Sequence, residues 1–192
     1  MMNKKIQGNK AVTSALVALG LLVALTGCSA ASATPTPSQT PSASATNPYG
    51  GGFTVDAPKS TDVVLTVSGT KTVDYTMGQL QKLANESLTF VEPFVKQQQT
   101  FTGVPLKTLL DAAGIAVGEK VNTIALNEYQ FADTVANLED NSAVLAVTRD
   151  GGPIPMDQGG PIRLVFPKGT KYFSYLDAWN WSLRTIKVTT GK

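Results

Sequence analysis

The chain has 192 residues, with 16 lysines and arginines against 14 aspartates and glutamates, one cysteine and no histidine. These counts exclude Ser-His-Asp and Cys-His catalytic arrangements, histidine metal ligands, an intrachain disulfide and a cysteine-rich zinc site. The length suits one ordinary domain with a tail, and the formal charge of +2 indicates neither nucleic acid nor an acidic partner.

The N-terminal residues have the layout of a secretory signal. Lys4, Lys5 and Lys10 precede an uncharged apolar run at residues 11–25. This run is shorter than the roughly 20 residues that a spanning helix needs, which favours cleavage. The sequence LTGC at residues 25–28 resembles a bacterial lipobox. We therefore expect a signal peptide at residues 1–27 and a thioether-linked diacylglycerol, with palmitate-type chains, on Cys28.

The alternative for this segment is an ordinary signal peptide, or an uncleaved anchor, with an incidental cysteine. Under each of these interpretations the protein leaves the cytoplasm. The lipobox interpretation predicts a protein anchored by lipid to the cell membrane and facing the extracytoplasmic side, either the periplasm or the cell surface.

Residues 28–52 begin with Cys28 and are otherwise nearly all Ser, Ala, Thr, Pro, Gly and Gln, without charge or apolar periodicity. Such a composition does not bury enough surface to offset its ordering entropy, so a disordered tether is expected. The folded domain is then residues 53–192. Three of the 16 basic residues precede Cys28 and all 14 acidic residues follow it, so the part after Cys28 carries a formal charge of −1.

The first predicted elements are a hairpin and a helix. Residues 63–67 are short and β-branched, Ser68 and Gly69 turn the chain, and residues 70–75 alternate in polarity. Thr76 with Gln79 three positions later is a capping-box pattern, which predicts a helix of two to three turns up to Asn85.

A proline separates the next extended segments and a second proline begins a helix. Residues 87–101 are rich in Thr, Phe, Val and Gln and are interrupted by Pro93, which predicts broken or edge strands. Pro105 then precedes a helix whose buried face is Leu106, Leu109 and Leu110, with Gly114 as its C-terminal cap.

The C-terminal half contains mainly strand signals. Strands are predicted at residues 121–126, 143–149, 162–166 and 183–189, and residues 129–140 are expected to include one short helical turn. The sequence DGGP at residues 150–153 is a turn signal. Because strands outnumber helices and no βαβ unit repeats, the predicted class is α+β, a mixed sheet with a few short helices.

Three segments together resemble the oxidoreductase molybdopterin-binding domain, the core of the sulfite oxidase family, in its short stand-alone bacterial form. They are FTGVPLKTLL at residues 101–110 with AGI at 113–115, residues 143–155 ending in DGGPIP, and GGPIRLVFP at residues 159–167. The resemblance covers nearly all of residues 63–188. It implies the sulfite-oxidase-type fold and a molybdopterin cofactor held between loops and strand ends.

The resemblance also implies a molybdenum ion bound by the cofactor's dithiolene and by one protein thiolate. The family's enzymes supply that cysteine upstream of the F-x-G-V motif, but residues 85–99 contain none. They also use histidine and several arginines, whereas this chain has no histidine and only Arg149, Arg163 and Arg184. The metal would lack a ligand that sets its potential and geometry. We therefore assign no catalytic residue and no metal site.

The residues of this chain that match the family's cofactor-binding positions suggest an anion site. Gly159 and Gly160 would turn backbone N–H groups outward as a nest, and Arg163 would offer a bidentate fork. Arg149 and Lys168 are candidate members of the same patch. The alternative is a plain Gly-Gly-Pro turn before a strand, with Arg163 on its solvent face.

Five aromatic residues follow within ten positions, and they suggest either a recognition surface or the outer core. Tyr172 and Tyr175 are the candidate ligand contacts. One of the two tryptophans is expected in the core, and under the outer-core interpretation both tryptophans would face the same side of a strand. The members of the cluster are Tyr172, Phe173, Tyr175, Trp179 and Trp181.

Isolated carboxylates give weaker signals. The acidic residues between 128 and 140 lack the spacing of a calcium loop, which favours a solvated acidic loop over a cation site. Glu92 lies in an apolar setting, but the sequence shows no second acid or base near it, so it suggests no mechanism.

The leading hypothesis is a membrane-anchored lipoprotein whose molybdopterin-binding-like domain is a binding or accessory module. Its expected partners are the membrane, through the lipid, and a small anionic or pterin-like ligand or a membrane-associated protein; no nucleic acid is expected. The alternative is a molybdopterin-dependent oxidoreductase, or its subunit, with a deep cleft lined by Arg163, Gly160 and residues 143–152. A third hypothesis is a structural surface protein that assembles through its aromatic residues.

Overall fold

The computed structural model of the protein describes residues 56–189. The expected signal peptide, Cys28 and the tether at residues 28–52 lie outside the described residues. Within residues 56–189, none of the helices has the length and apolar composition needed to cross a membrane.

The first sheet joins strands from the two ends of the domain. Strand β1 pairs antiparallel with β2 in a hairpin and parallel with β10, with Thr66 opposite Thr185. Across the sheet the order is β2 (Thr72–Thr76), β1 (Val63–Ser68), β10 (Leu183–Val188), β5 (Lys120–Ala125) and β6 (Gln130–Thr134). The predicted hairpin is confirmed, because its signals are local: two β-branched runs and a Ser-Gly turn.

The second sheet contains the strands of the family-like motifs. Strand β7 is its centre, because it pairs antiparallel with β4, β8 and β9. The members are β3 (Glu86–Val91), β4 (Gln98–Pro105), β7 (Val144–Arg149), the short β8 (Gly152–Pro153) and β9 (Arg163–Val165). Pro93 lies between β3 and β4, so the predicted interruption of the extended segment is confirmed.

The helices are short, and their ends follow the predicted signals. Thr76 Oγ1 accepts the Gln79 N–H at 3.2 Å and Gln79 Oε1 accepts the Thr76 N–H at 2.7 Å, which completes the capping box. Gly114 has a φ of +68° after the second helix, as a C-terminal cap requires. The helices are α1 (Met77–Leu83), α2 (Leu106–Ala112), α3 (Val135–Asp140) and α4 (Lys171–Ser174), with 3₁₀ turns at Met156–Gln158 and Leu176–Ala178.

Two predicted segments differ from the structure. Residues 129–140 contain a strand, β6, as well as the helical turn, because β6 pairs with β5 in a register that the sequence alone did not indicate. Trp179 and Trp181 lie in irregular chain before β10 rather than in a strand. The fold class is α+β, as predicted, and one continuous cluster of buried side chains draws on both sheets.

Candidate functional site

Arg163 is the centre of the candidate site and is fully buried, with a side-chain exposure of 0%. It lies in β9 between Ile162 and Leu164, which are also buried. The alternative interpretation, in which Arg163 lies on a solvent face of the strand, is therefore wrong. The strand is covered on both sides, so even its polar residue is enclosed, and a buried guanidinium requires a partner.

Glu92 is that partner. It follows β3, its exposure is 0%, and its Oε1 lies 3.1 Å from Arg163 Nη2. Its Oε2 accepts the backbone N–H groups of Phe94 at 2.7 Å and Val95 at 2.8 Å. The carboxylate thus receives donors from the β3–β4 loop and from the second sheet, and it compensates the charge of Arg163 inside the protein.

Four aromatic rings surround the guanidinium of Arg163. Its Cζ lies 4.2 Å from the centroid of the Trp181 ring. The other three centroids lie 5.5 to 5.8 Å away and belong to Phe94, Phe101 and Trp179. These distances are within the range of cation–π attraction, which strengthens when water is excluded. The four rings, here called the aromatic shell, fill the space that an open arginine site would leave to a ligand.

The two glycines before β9 permit close packing. The N–H of Gly160 donates to Pro155 O at 2.9 Å, so it points into the protein and not toward solvent. A Cβ on Gly160 would collide with the carbonyl of Ile154, and a Cβ on Gly159 would lie 3.0 Å from Cγ of Trp181. The prediction that the Gly160 N–H points outward, as an anion nest requires, is therefore wrong, because this N–H is bonded inside the protein. Whether either glycine contacts a ligand stays a prediction.

The other basic candidates differ in environment. Arg149 is half-buried, and its Nη2 donates to Gln158 Oε1 at 2.6 Å, which ties β7 to the 3₁₀ turn at Met156–Gln158. Lys168 is exposed in the turn after β9. Their contribution to anion binding remains a prediction, but Arg149 and Arg163 each already hold an acceptor from the protein.

The two candidate tyrosines have different roles. Tyr172 is buried, its hydroxyl donates to the carboxylate of Asp133, and its carbonyl accepts the indole N–H of Trp179 at 2.8 Å. Burial, together with that carboxylate, raises the pKa of Tyr172 to about 12. Burial acts to raise the pKa of Asp133. The hydrogen bonds that its carboxylate accepts from Tyr172, Asn137 and the backbone of Thr134 outweigh burial, so the pKa of Asp133 is lowered. Tyr172 is therefore a core residue, whereas Tyr175 is 46% exposed.

An open cavity of about 400 Å³ lies beside the aromatic shell. Three connecting segments meet there: the β3–β4 loop, the β5–β6 turn and the chain between α4 and β10. The described residues that line it are Phe94, Asn127, Tyr129, Leu176, Asp177, Trp179 and Trp181. We call it the aromatic cavity. Both tryptophans of the chain line it, and the Tyr129 hydroxyl donates to the carbonyl of Asp177 at 2.9 Å across its rim.

Sequence reasoning missed the pairing of Glu92 with Arg163 and the role of Phe94 and Tyr129 in the cavity. A usable signal existed for the first: each charge interrupts an apolar run, and opposite charges in two buried strands or strand ends tend to pair. No signal existed for the second, since Phe94 and Tyr129 come together only through the arrangement of the two sheets.

This fold is shared with a dehydrogenase of known structure. The chain is similar to the crystal structure of the sulfane dehydrogenase SoxCD from Paracoccus pantotrophus, with a TM-score of 0.52 and 18% identity. The match covers 70% of this chain and 40% of that chain, so this protein spans less than half of that enzyme's length. At this identity the likeness shows the fold alone.

The model of the oxidoreductase molybdopterin-binding domain matches residues 54–190, which is more than half of the chain. The chain therefore belongs to that family, as the three motifs predicted. No curated protein matches the chain.

The residues present do not fit a thiolate-bound molybdenum centre. Residues 56–189 contain no cysteine, and the segment in which the family resemblance expects the thiolate holds Glu92, whose carboxylate already receives three donors. Arg163 is likewise committed to Glu92 and to the aromatic shell. Among the described residues, no three His, Cys, Asp or Glu side chains form a group able to hold a metal ion.

Proposed function

We propose that this protein is a membrane-anchored extracytoplasmic lipoprotein whose molybdopterin-binding-type domain works as a binding or accessory module without molybdenum chemistry. The observation that supports the proposal is the closed ion pair of Glu92 and Arg163. A carboxylate and a guanidinium that compensate each other's charge inside the protein offer no free carboxylate to a metal and no uncompensated positive charge to a phosphate.

The anchoring part of the proposal comes from the sequence. The lipobox-like residues 25–28 and the uncharged segment that follows would hold the domain at the membrane through Cys28. The partners proposed are accordingly the membrane itself and either a small ligand or a membrane-associated protein. The recognition surface proposed is the end of the domain at which the aromatic cavity opens.

Cofactor content tests the absence of molybdenum chemistry. The exported protein would be purified from its native host without denaturation, and its molybdenum would be measured by mass spectrometry and its pterin by oxidation and fluorescence. We expect neither in stoichiometric amount. Stoichiometric molybdenum and pterin would refute the proposal.

Anchoring is tested separately through Cys28. We expect the protein in the membrane fraction, with an N-terminal peptide whose mass shows diacylglycerol on Cys28. The variant Cys28→Ser should be released from the membrane or retain its signal sequence. Unchanged membrane association of that variant, with an unmodified N-terminal peptide in the native protein, would overturn the lipoprotein assignment.

The alternative is an oxidoreductase that binds the cofactor without a cysteine ligand or receives the thiolate from a partner subunit. It requires Arg163 and Gly160 to line an open cleft. Arg163 is instead enclosed, and the N–H of Gly160 is bonded internally. These two observations favour the binding module. The structural hypothesis is less favoured as well, because Tyr172 and Trp179 are buried and do not form an exposed aromatic patch.

A further inference from the structure

The walls of the aromatic cavity are suited to a cation. Phe94, Tyr129, Trp179 and Trp181 line it, and Phe94 and Tyr129 are 37% and 42% exposed. Aromatic faces carry negative electrostatic potential and attract organic cations. Three of these rings, those of Phe94, Trp179 and Trp181, already lie against one cation, the guanidinium of Arg163. The cavity on the other side of these rings opens to solvent and is available to a second cation from outside the protein.

The charge of the cavity has the matching sign. Asp177 is the one charged residue among the described residues that line it, and it is exposed. Arg163 lies behind Trp181 and is compensated by Glu92, so it adds little positive potential at the opening. No lysine or arginine of the described chain lines the cavity. A phosphate or another anion would therefore meet a carboxylate and no cation.

We infer that the aromatic cavity binds a small organic cation, an alkylammonium or quaternary ammonium compound. The rings of Phe94, Tyr129 and Trp181 would contact its alkyl groups, and the Asp177 carboxylate would compensate its charge. A volume of about 400 Å³ is at the lower end of ordinary ligand cavities, which suits a ligand of few heavy atoms. This inference names the ligand class of the proposed binding module and rests on that proposal.

Tryptophan fluorescence tests the inference directly, because the chain has two tryptophans and both line the cavity. The whole protein, purified in detergent, would be titrated with choline chloride against sodium chloride at equal ionic strength. Choline should change the fluorescence in a saturable manner. The neutral isostere 3,3-dimethyl-1-butanol should bind about tenfold more weakly, which is the typical size of a cation–π contribution at a partly desolvated site.

The variant Asp177→Asn should weaken choline binding roughly fivefold while leaving the isostere unchanged, as expected for one partly solvated charge. Asp140→Asn is the matched control, because it removes the same charge at an exposed residue that does not line the cavity. The variant Tyr129→Phe, which keeps the ring, should retain choline binding.

Several outcomes would overturn the inference. These are equal binding of choline and its isostere, no effect of Asp177→Asn, or saturable binding of inorganic phosphate or of a pterin in place of choline. The result is separable from the test of the proposed function. Cofactor content measured on the same preparation decides whether the domain is a molybdenum protein, whereas the titration decides only the class of ligand.

Discussion

Replacing Glu92 by glutamine is the sharpest test of how the candidate site is held together. The substitution keeps the size of the side chain but removes its charge. Three donors converge on the carboxylate: Arg163 Nη2 on one oxygen, and the N–H groups of Phe94 and Val95 on the other. A glutamine has one oxygen and one NH₂ group, so either Arg163 or the two backbone donors must face another donor.

The cost follows from burial. Both side chains have 0% exposure, and removing one member of a buried ion pair typically costs about 3–5 kcal/mol because the other charge remains uncompensated. A domain of ordinary stability has about 5–15 kcal/mol in total. We therefore expect Glu92→Gln to remove at least about a fifth of the free energy of unfolding.

Urea unfolding followed by circular dichroism measures this change. The midpoint should fall while the denaturant slope stays the same. The double variant Glu92→Gln with Arg163→Met removes both charges and should recover part of the loss, because it no longer buries an unpaired guanidinium. A loss below about 1 kcal/mol in the single variant, the size expected of a surface pair, would refute the reasoning. So would a double variant whose loss equals the sum of the two single losses.

Three further predictions concern separate parts of the domain. Gly160→Ala should destabilise by about 1–3 kcal/mol in thermal unfolding, because the new methyl group meets the carbonyl of Ile154; an unchanged melting temperature would contradict the packing described. Because the pKa of Tyr172 is raised to about 12 by burial and by the carboxylate of Asp133, its stabilising contribution is complete below pH 10 and is lost as the pH rises toward 12. Tyr172→Phe should remove that alkaline dependence, and a variant as pH-sensitive as the native protein would contradict it. Thr76→Ala should cost about 1 kcal/mol by removing the capping box, which a shift of the urea midpoint would measure; no shift would contradict it.

The elements that the sequence predicted correctly have local causes. The β1–β2 hairpin, the capping box at Thr76 and the helix after Pro105 each depend on residues within a few positions of one another. Strand β6 was missed because its pairing with β5, rather than its own composition, makes it a strand.

The centre of the candidate site could not be predicted for the same physical reason. Glu92 and Arg163 are 71 residues apart in the chain, and only the arrangement of β3 and β9 brings them together. The sequence did indicate that Gly159, Gly160 and Arg163 are special, but it assigned outward N–H groups to a turn in which the N–H of Gly160 is bonded inward. Residue type revealed unusual positions, and tertiary packing determined what they do.

The position of the last strand has a consequence for how the chain acquires its structure. Strand β10 is formed by Leu183–Val188, yet it lies in the middle of the first sheet, between β1 and β5. During synthesis from the N-terminus, these two neighbours exist long before the strand that separates them. The first sheet therefore closes only when residues 183–188 join it, and contacts of such long sequence separation make folding slow. Removing residues 183–188 would leave β1 and β5 with two unpaired edges facing a gap, so a deletion confined to this one strand should disrupt the whole first sheet.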